Sequence, residues 1–184
     1  MESRILIINL CKENLHSYEF VKPIEDILKK ENISYDTIEY KKIKEKVIKK
    51  YKKIIICGSA LKDEEYLKNL YYFNWIKDYK GALLGICAGM QIITKIFGGE
   101  MVKKQDIGMK MISIRKNFLG IAGWKEVYEL HNFEILHNSL LEKEFEILSQ
   151  GSIDAIKHKE KEIYAVLFHP EVRQKEIIRK FANL

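Results

Sequence analysis

Four short stretches of the chain, residues 4–10, 53–57, 82–87 and 163–168, are almost continuously apolar. A half-buried strand alternates apolar and polar positions. Unbroken runs of this length mark strands covered on both faces, as in a parallel sheet. Between them the spacing turns helical. Residues 18–31 set Phe20, Val21, Ile24, Ile27 and Leu28 on one stripe, and residues 64–79 do so with Leu67, Leu70, Tyr71 and Ile76. Residues 41–53 place Ile43, Val47, Ile48 and Tyr51 at helical spacing among lysines, which predicts an amphipathic surface helix. Residues 33–40 add a strand. The order β-α-β-α-β-α-β through residue 87 predicts an α/β arrangement with crossover helices.

Beyond Cys87 the pattern predicts a helix over 89–97, closed by Gly98-Gly99. Short strand-like pieces follow at 109–115, 126–130, 145–149, 154–158 and 163–168, with a hairpin at 159–161. This section reads as more antiparallel. Residues 172–181 read as a closing helix. No linker or repeat divides the chain, so one domain over 1–184 is expected.

With 184 residues, 47% of them hydrophobic and 32% charged, the chain can bury a core and is not of the disordered class. Its longest uncharged run, 81–94, holds three glycines and Gln91 and is too short to span a bilayer. Glu2 and Arg4, followed by a short apolar run at 5–10, do not make a signal peptide. A cytoplasmic location is expected. The formal charge of +6 raises nucleic acid as a partner. However, the lysines interleave with glutamates as on a solvated face, so neither nucleic acid nor membrane is expected. The basic stretch 41–53 leaves a patch for a polyanionic ligand as the alternative to a plain surface helix.

The three cysteines, Cys11, Cys57 and Cys87, are odd in number and form no CxxC, which argues against a disulfide framework or a zinc site. Their neighbours single out Cys87. It stands in Gly85-Ile86-Cys87-Ala88-Gly89-Met90-Gln91, between an apolar strand and a helix. A nucleophile on such a turn projects above the sheet, and small residues two before and two after relieve crowding. The helix N-terminus behind it favours a thiolate and can hold an oxyanion. The bland alternative is a buried cysteine in a glycine-rich turn. The second motif is Phe168-His169-Pro170-Glu171, at the end of the last apolar run. Sites in open α/β sheets form beyond the carboxyl ends of strands, so Cys87 and His169 can meet there. Pro170 keeps His169 out of helical geometry, and Glu171 can orient the imidazole. Cys11 and Cys57 have no adjacent base and read as structural. His158 reads as a surface residue, and His131 is open between a site-edge and a packed role. His16 and His137 show no pattern.

Together the two motifs resemble the class I (triad) glutamine amidotransferases over nearly the whole chain. Residues 156–171 resemble in particular the free-standing amidotransferase subunit of archaeal-type GMP synthase. The resemblance implies a flavodoxin-like, open, mostly parallel sheet. It implies hydrolysis of L-glutamine to glutamate and ammonia through a γ-glutamyl thioester, with ammonia passed to an ATP-dependent synthetase partner. Carried over, Cys87 is the nucleophile, His169 the general base and acid, and Glu171 the orienting carboxylate. Gln91 matches the family's glutamine near the substrate. Oxyanion donors would be the backbone of Ala88 and of the loop at Gly58 and Ser59, where Ser59 and Ala60 depart from the family's usual glycine and proline. Further departures are Leu167 before the second motif, Glu129-Leu130-His131-Asn132-Phe133 in place of a His-x-Asp pattern, and residues 9–14 in place of a glycine-rich loop. No cofactor is implied; with no GxxxxGKS loop, ATP falls to the partner. Two other readings stay open: a stand-alone γ-glutamyl amide hydrolase, and a non-catalytic partner-binding relative.

Overall fold

The continuous apolar runs are strands with both faces covered, because successive side chains on each feed different layers. The computed structural model describes residues 4–184; Glu2, used above in reading the N-terminus, lies outside them. Along β1 (Ile5–Asn9), Ile5 and Ile7 enter one layer while Leu6 and Ile8 enter the other. The sheet runs β2 (Tyr35–Glu39), β1, β3 (Lys53–Ile56), β4 (Ala82–Ile86), β9 (Ile163–Val166), β8 (Ala155–His158), β7 (Phe145–Ile147). Its first five strands are parallel, and β8 and β7 are antiparallel. One layer is built by α2 (Lys22–Lys30), with Ile24, Ile27 and Leu28, and by α7 (Glu176–Ala182), with Ile177, Ile178 and Phe181. The other is built around α5 (Ala88–Ile96), with Met90, Ile92, Ile93 and Ile96 against Phe73 and Ile76. This is the flavodoxin-like, mostly parallel α/β sheet that was expected.

The helices are more broken than the periodicity suggests. The stretch 18–31 is two helices, α1 (Asn14–Phe20) and α2, parted at Val21. Pro23 lies in the first turn of α2, and its ring would clash with the preceding turn of a continuous helix. The lysine-rich stretch 41–53 yields only a 3₁₀ turn, Tyr40–Lys42, and the single-turn α3 (Glu45–Ile48). Lys42, Lys46 and Lys50 stand four apart, and like charges at that spacing oppose a helix. The stretch 64–79 divides into α4 (Glu65–Lys68) and a 3₁₀ segment, Leu70–Lys77. The break is Asn69, whose side-chain amide donates to the Glu65 carbonyl at 3.0 Å and so competes with the helical bond there. The closing helix starts at Glu176, after Gln174 with φ +72°. A short α6 (Ser139–Glu144), capped by Asn138, was not anticipated.

The pieces read as 109–115 and 126–130 are the middle of one long hairpin, β5 (Glu100–Phe118) and β6 (Ile121–Leu136), which forms a sheet of its own. Leu119 and Gly120, both at positive φ, make its tight turn. Ile112, Ile114 and Val127 pack inward on the core. Ile107, Met109, Met111 and Trp124, on the opposite face, are exposed. Apolar side chains on both faces erase the alternation by which a hairpin is recognised. Among the described residues no helix is long and apolar enough to cross a membrane.

The closest approach between helix and sheet is at Gly89, where a Cβ would lie 2.4 Å from the Ile56 carbonyl oxygen of β3. Alanine is the better helix former by about 1 kcal/mol, so propensity and packing pull in opposite directions. Packing should dominate. Gly89→Ala is expected to lower stability by about 1–3 kcal/mol in urea denaturation; a gain would show that the contact relaxes freely.

Candidate active site

Because β4 and β9 are parallel neighbours, with Ile86 opposite Val166, the segments leaving them emerge side by side. The Cys87 N–H donates to the Val166 carbonyl at 2.8 Å. Cys87 itself has φ +49° and ψ −102°, a conformation L residues rarely adopt and one found where a turn is held under strain. The flanking glycines are required by crowding: a Cβ at Gly85 would meet Ile93 Cδ1 at 2.5 Å and the Gly89 carbonyl carbon at 2.8 Å.

His169, just beyond β9, is 1% exposed and Glu171 is 2% exposed. The His169 Nδ1 lies 2.7 Å from Glu171 Oε1. The Phe20 ring packs on the imidazole with centroids 5.4 Å apart. Gly58 makes room for it, since a Cβ there would be 2.6 Å from His169 Cε1. The other ring nitrogen, Nε2, is 3.4 Å from the Leu130 carbonyl oxygen, and the Cys87 thiol donates to that same oxygen at 3.4 Å. Sulfur, imidazole and carboxylate therefore converge as the sequence suggested.

Electrostatics separate the three cysteines. Burial works against a charged His169, but the Glu171 carboxylate and the Cys87 sulfur outweigh it and hold the imidazole pKa well above its ordinary value. Cys57 is buried and its pKa is driven up by loss of solvent, with Glu171 adding to the effect. Cys11 is pushed up to about 12 by burial and then by Asp63. Both stay as thiols and take the structural place expected of them.

Ala88 opens α5, where the first N–H groups have no intrahelical acceptor. The N–H groups of Gly58 and Ser59 have no acceptor among the described residues, and Ser59 needs no left-handed backbone. Gln91 lines a small cavity at Cys87 together with Ser59, Tyr66 and residues 130–133. That cavity is only about 10 Å³, near the threshold for a single water.

Some parts of the site were not legible. Tyr66 donates its hydroxyl to Gln91 Oε1 at 2.6 Å. Asp63 accepts from Lys12 N–H and pairs with His16 at 2.7 Å, fixing the loop after β3 to the start of α1. Only the unusual pairing of His16 with a buried aspartate explains a histidine that carried no sequence signal. His131 is both of its alternatives at once: it lines the cavity, is 5% exposed and sits 3.0 Å from Glu129. His158 is a correction. It is buried against Phe97 and Phe145, and its Nδ1 accepts from the Glu160 and Lys161 N–H groups, closing the hairpin turn. A larger groove of about 950 Å³, lined by Tyr51, Tyr71, Trp75 and Tyr79, lies before β3 and β4 at the opposite strand ends and holds no nucleophile–base pair.

The family model for glutamine amidotransferase class-I matches residues 15–182, a span that contains every group just described from His16 to Glu171. The chain belongs to the class-I glutamine amidotransferase family. Relatives named as the glutamine-hydrolysing subunit of GMP synthase include those of Pyrococcus abyssi, 34% identical over 66% of this chain and 66% of that protein, and Thermoplasma acidophilum, 30% identical over 71% and 70%. The Pyrococcus furiosus relative is 33% identical over 59% of this chain, and the match spans about three fifths, 62%, of its length. Two solved structures share the fold. A putative GMP synthase subunit from Thermoplasma acidophilum has a TM-score of 0.86 at 23% identity, covering 100% of this chain and 94% of that one. A glutamine amidotransferase from Thermotoga maritima has 0.72 at 18% identity, covering 100% and 84%.

The raised His169 pKa of this amidotransferase chain has a consequence for stability. A folded-state pKa above the unfolded one contributes stability fully below the unfolded value, about 6.5, and loses it as pH rises through the folded value. The gap in denaturation midpoint between wild type and His169→Asn is expected to be widest near about pH 6 and to narrow on the alkaline side. A gap independent of pH would contradict the charged imidazole.

Proposed function

We propose that this chain hydrolyses L-glutamine to glutamate and ammonia through Cys87, His169 and Glu171. It would pass the ammonia to an ATP-dependent synthetase partner. The names of its relatives point to GMP synthase as that complex. The observation that carries the reading is the meeting of a strained Cys87 and a Glu171-paired His169 at one carbonyl, 3.4 Å from each.

In the proposed reaction His169 Nε2 takes the thiol proton and Sγ attacks the side-chain amide carbon of glutamine. The oxyanion that forms is met by the Ala88 N–H from the start of α5 and by the Gly58 and Ser59 N–H groups across the site. His169 returns the proton to the departing nitrogen, the carbon–nitrogen bond breaks, and ammonia leaves a γ-glutamyl thioester on Cys87. Water then gives a proton to His169 and attacks the thioester, and the sulfur regains that proton as glutamate departs. Glu171 holds the ring and its transient charge throughout. Gln91, fixed by Tyr66, borders the glutamine side chain. ATP chemistry belongs to the partner, since the sequence carries no glycine-rich phosphate loop.

Glutamine hydrolysis, assayed with the synthetase present, tests these roles. Cys87→Ala should abolish turnover in a folded protein. His169→Ala should lower it by roughly 10²–10⁴-fold, and Glu171→Ala by less. Activity retained by Cys87→Ala would overturn the assignment. Full turnover without any partner, unchanged on adding one, would favour the stand-alone amide hydrolase.

A further inference from the structure

The free edge of β6 seals the site. Three alternate carbonyls point away from β5 along that edge. The Glu126 carbonyl accepts from the Gln174 side chain at 3.0 Å, and the Tyr128 carbonyl accepts from His169 N–H at 2.9 Å. The third, that of Leu130, meets only Cys87 Sγ and His169 Nε2. This last bond depends on the thiol keeping its proton: once Sγ has given it up, sulfur and carbonyl oxygen repel. The strand is latched there by Asn132, whose amide donates to the Leu61 carbonyl at 2.7 Å and to Glu64 at 2.8 Å. Opposite Asn132 the ladder is broken. Between Lys103 and Asp106, two residues of β5 face one of β6, a bulge at which the strand can bend.

The outer face of the same hairpin is unusual. Ile107, Met109, Met111 and Trp124 are exposed by 55%, 50%, 54% and 68%. The register sets Ile107 opposite Leu130, Met109 opposite Tyr128, Met111 opposite Glu126 and Trp124 opposite Ser113, so they form one continuous apolar face. A face of this kind is a recognition surface. Lys103, Arg115 and Lys125 flank it, and none has a carboxylate partner among the described residues. A second copy of the chain would bring the same unpaired cations against them. A partner offering an apolar surface rimmed by carboxylates would complement them. Leu130 links face and site, with its side chain on the outer side and its carbonyl on Cys87.

We propose that the outer face of the β5–β6 hairpin is where the synthetase docks, through an apolar surface rimmed by carboxylates, and that docking lifts β6 at Leu130 from Cys87. This rests on the glutaminase reading above and names how that site is regulated. It accounts for a cavity too small for glutamine in the chain alone.

The test uses the full chain with the synthetase subunit of GMP synthase from the same genome. Binding is followed by calorimetry, glutamine hydrolysis by turnover, and exposure of Cys87 by its alkylation rate with iodoacetamide. Met109→Asp with Met111→Asp, and separately Trp124→Asp, should weaken binding by about tenfold or more. They should remove stimulation by the synthetase and leave turnover of the chain alone unchanged. Leu140→Asp, on an exposed apolar residue of α6, should alter none of these. Asn132→Ala should speed alkylation of Cys87 without the synthetase, toward the rate the bound synthetase produces in wild type. Binding and stimulation that survive the Asp substitutions would overturn the inference alone. So would alkylation unchanged by both Asn132→Ala and the synthetase, or an outer face that proves to hold two copies of the chain together. A synthetase that does not bind wild type would overturn the inference and the proposed partner together, while the mutant series above would still judge the triad.

Discussion

The hydrogen bond from Cys87 N–H to the Val166 carbonyl fixes the last register position between β4 and β9. Both strands are parallel and both end at the same edge of the sheet, so whatever follows them must share a small volume. A slip of one residue would turn Cys87 to the other face. Cys87 is held there in a strained backbone, a cost of about 1–3 kcal/mol in such cases. It is held by the strand bond behind it and by the glycine-lined approach of α5 to β3 in front. The helices that cover the sheet serve this geometry: α5 begins at the nucleophile, and α1 ends in Phe20, which packs on His169.

The same cluster of buried side chains contains both Cys57 and Cys87. Chemistry separates them by neighbours rather than by depth. Cys57 has only apolar surroundings and a distant carboxylate, and stays a thiol. Cys87 faces an imidazole whose charge Glu171 stabilises. The opposite wall is the loop after β3, anchored through Asp63 to His16 and Lys12 and through Ser59 Oγ to the Asp63 carbonyl. That anchoring lets Ser59 stand where a glycine would be expected, since the loop is held by side chains rather than by a special backbone angle.

The strands were legible because burial on both faces removes polar positions from the sequence itself. The nucleophile turn was legible because crowding around Cys87 demands glycine at 85 and 89. Helices at 41–53 and 64–79 were overread because periodicity records which residues face the core, and 3₁₀ turns satisfy much the same spacing. The hairpin was underread because Met109 and Met111 are apolar on the outside while Lys110 and Glu129 are polar on the inside. Leu130 could not be found by any reading of side chains, since it acts through its carbonyl. His158 was misplaced because a histidine before a turn looks the same whether its ring faces solvent or caps the turn from beneath.

The central claim is that one of three buried or half-buried sulfurs is reactive because of where β4 and β9 end. It is tested most directly with a diazo-ketone analogue of glutamine, added to the chain with its synthetase, followed by peptide mass mapping. The account predicts one adduct per chain, on Cys87, with Cys11 and Cys57 unmodified and with labelling suppressed by excess glutamine. An adduct on Cys11 or Cys57, or labelling of Cys87 that glutamine does not suppress, would contradict it.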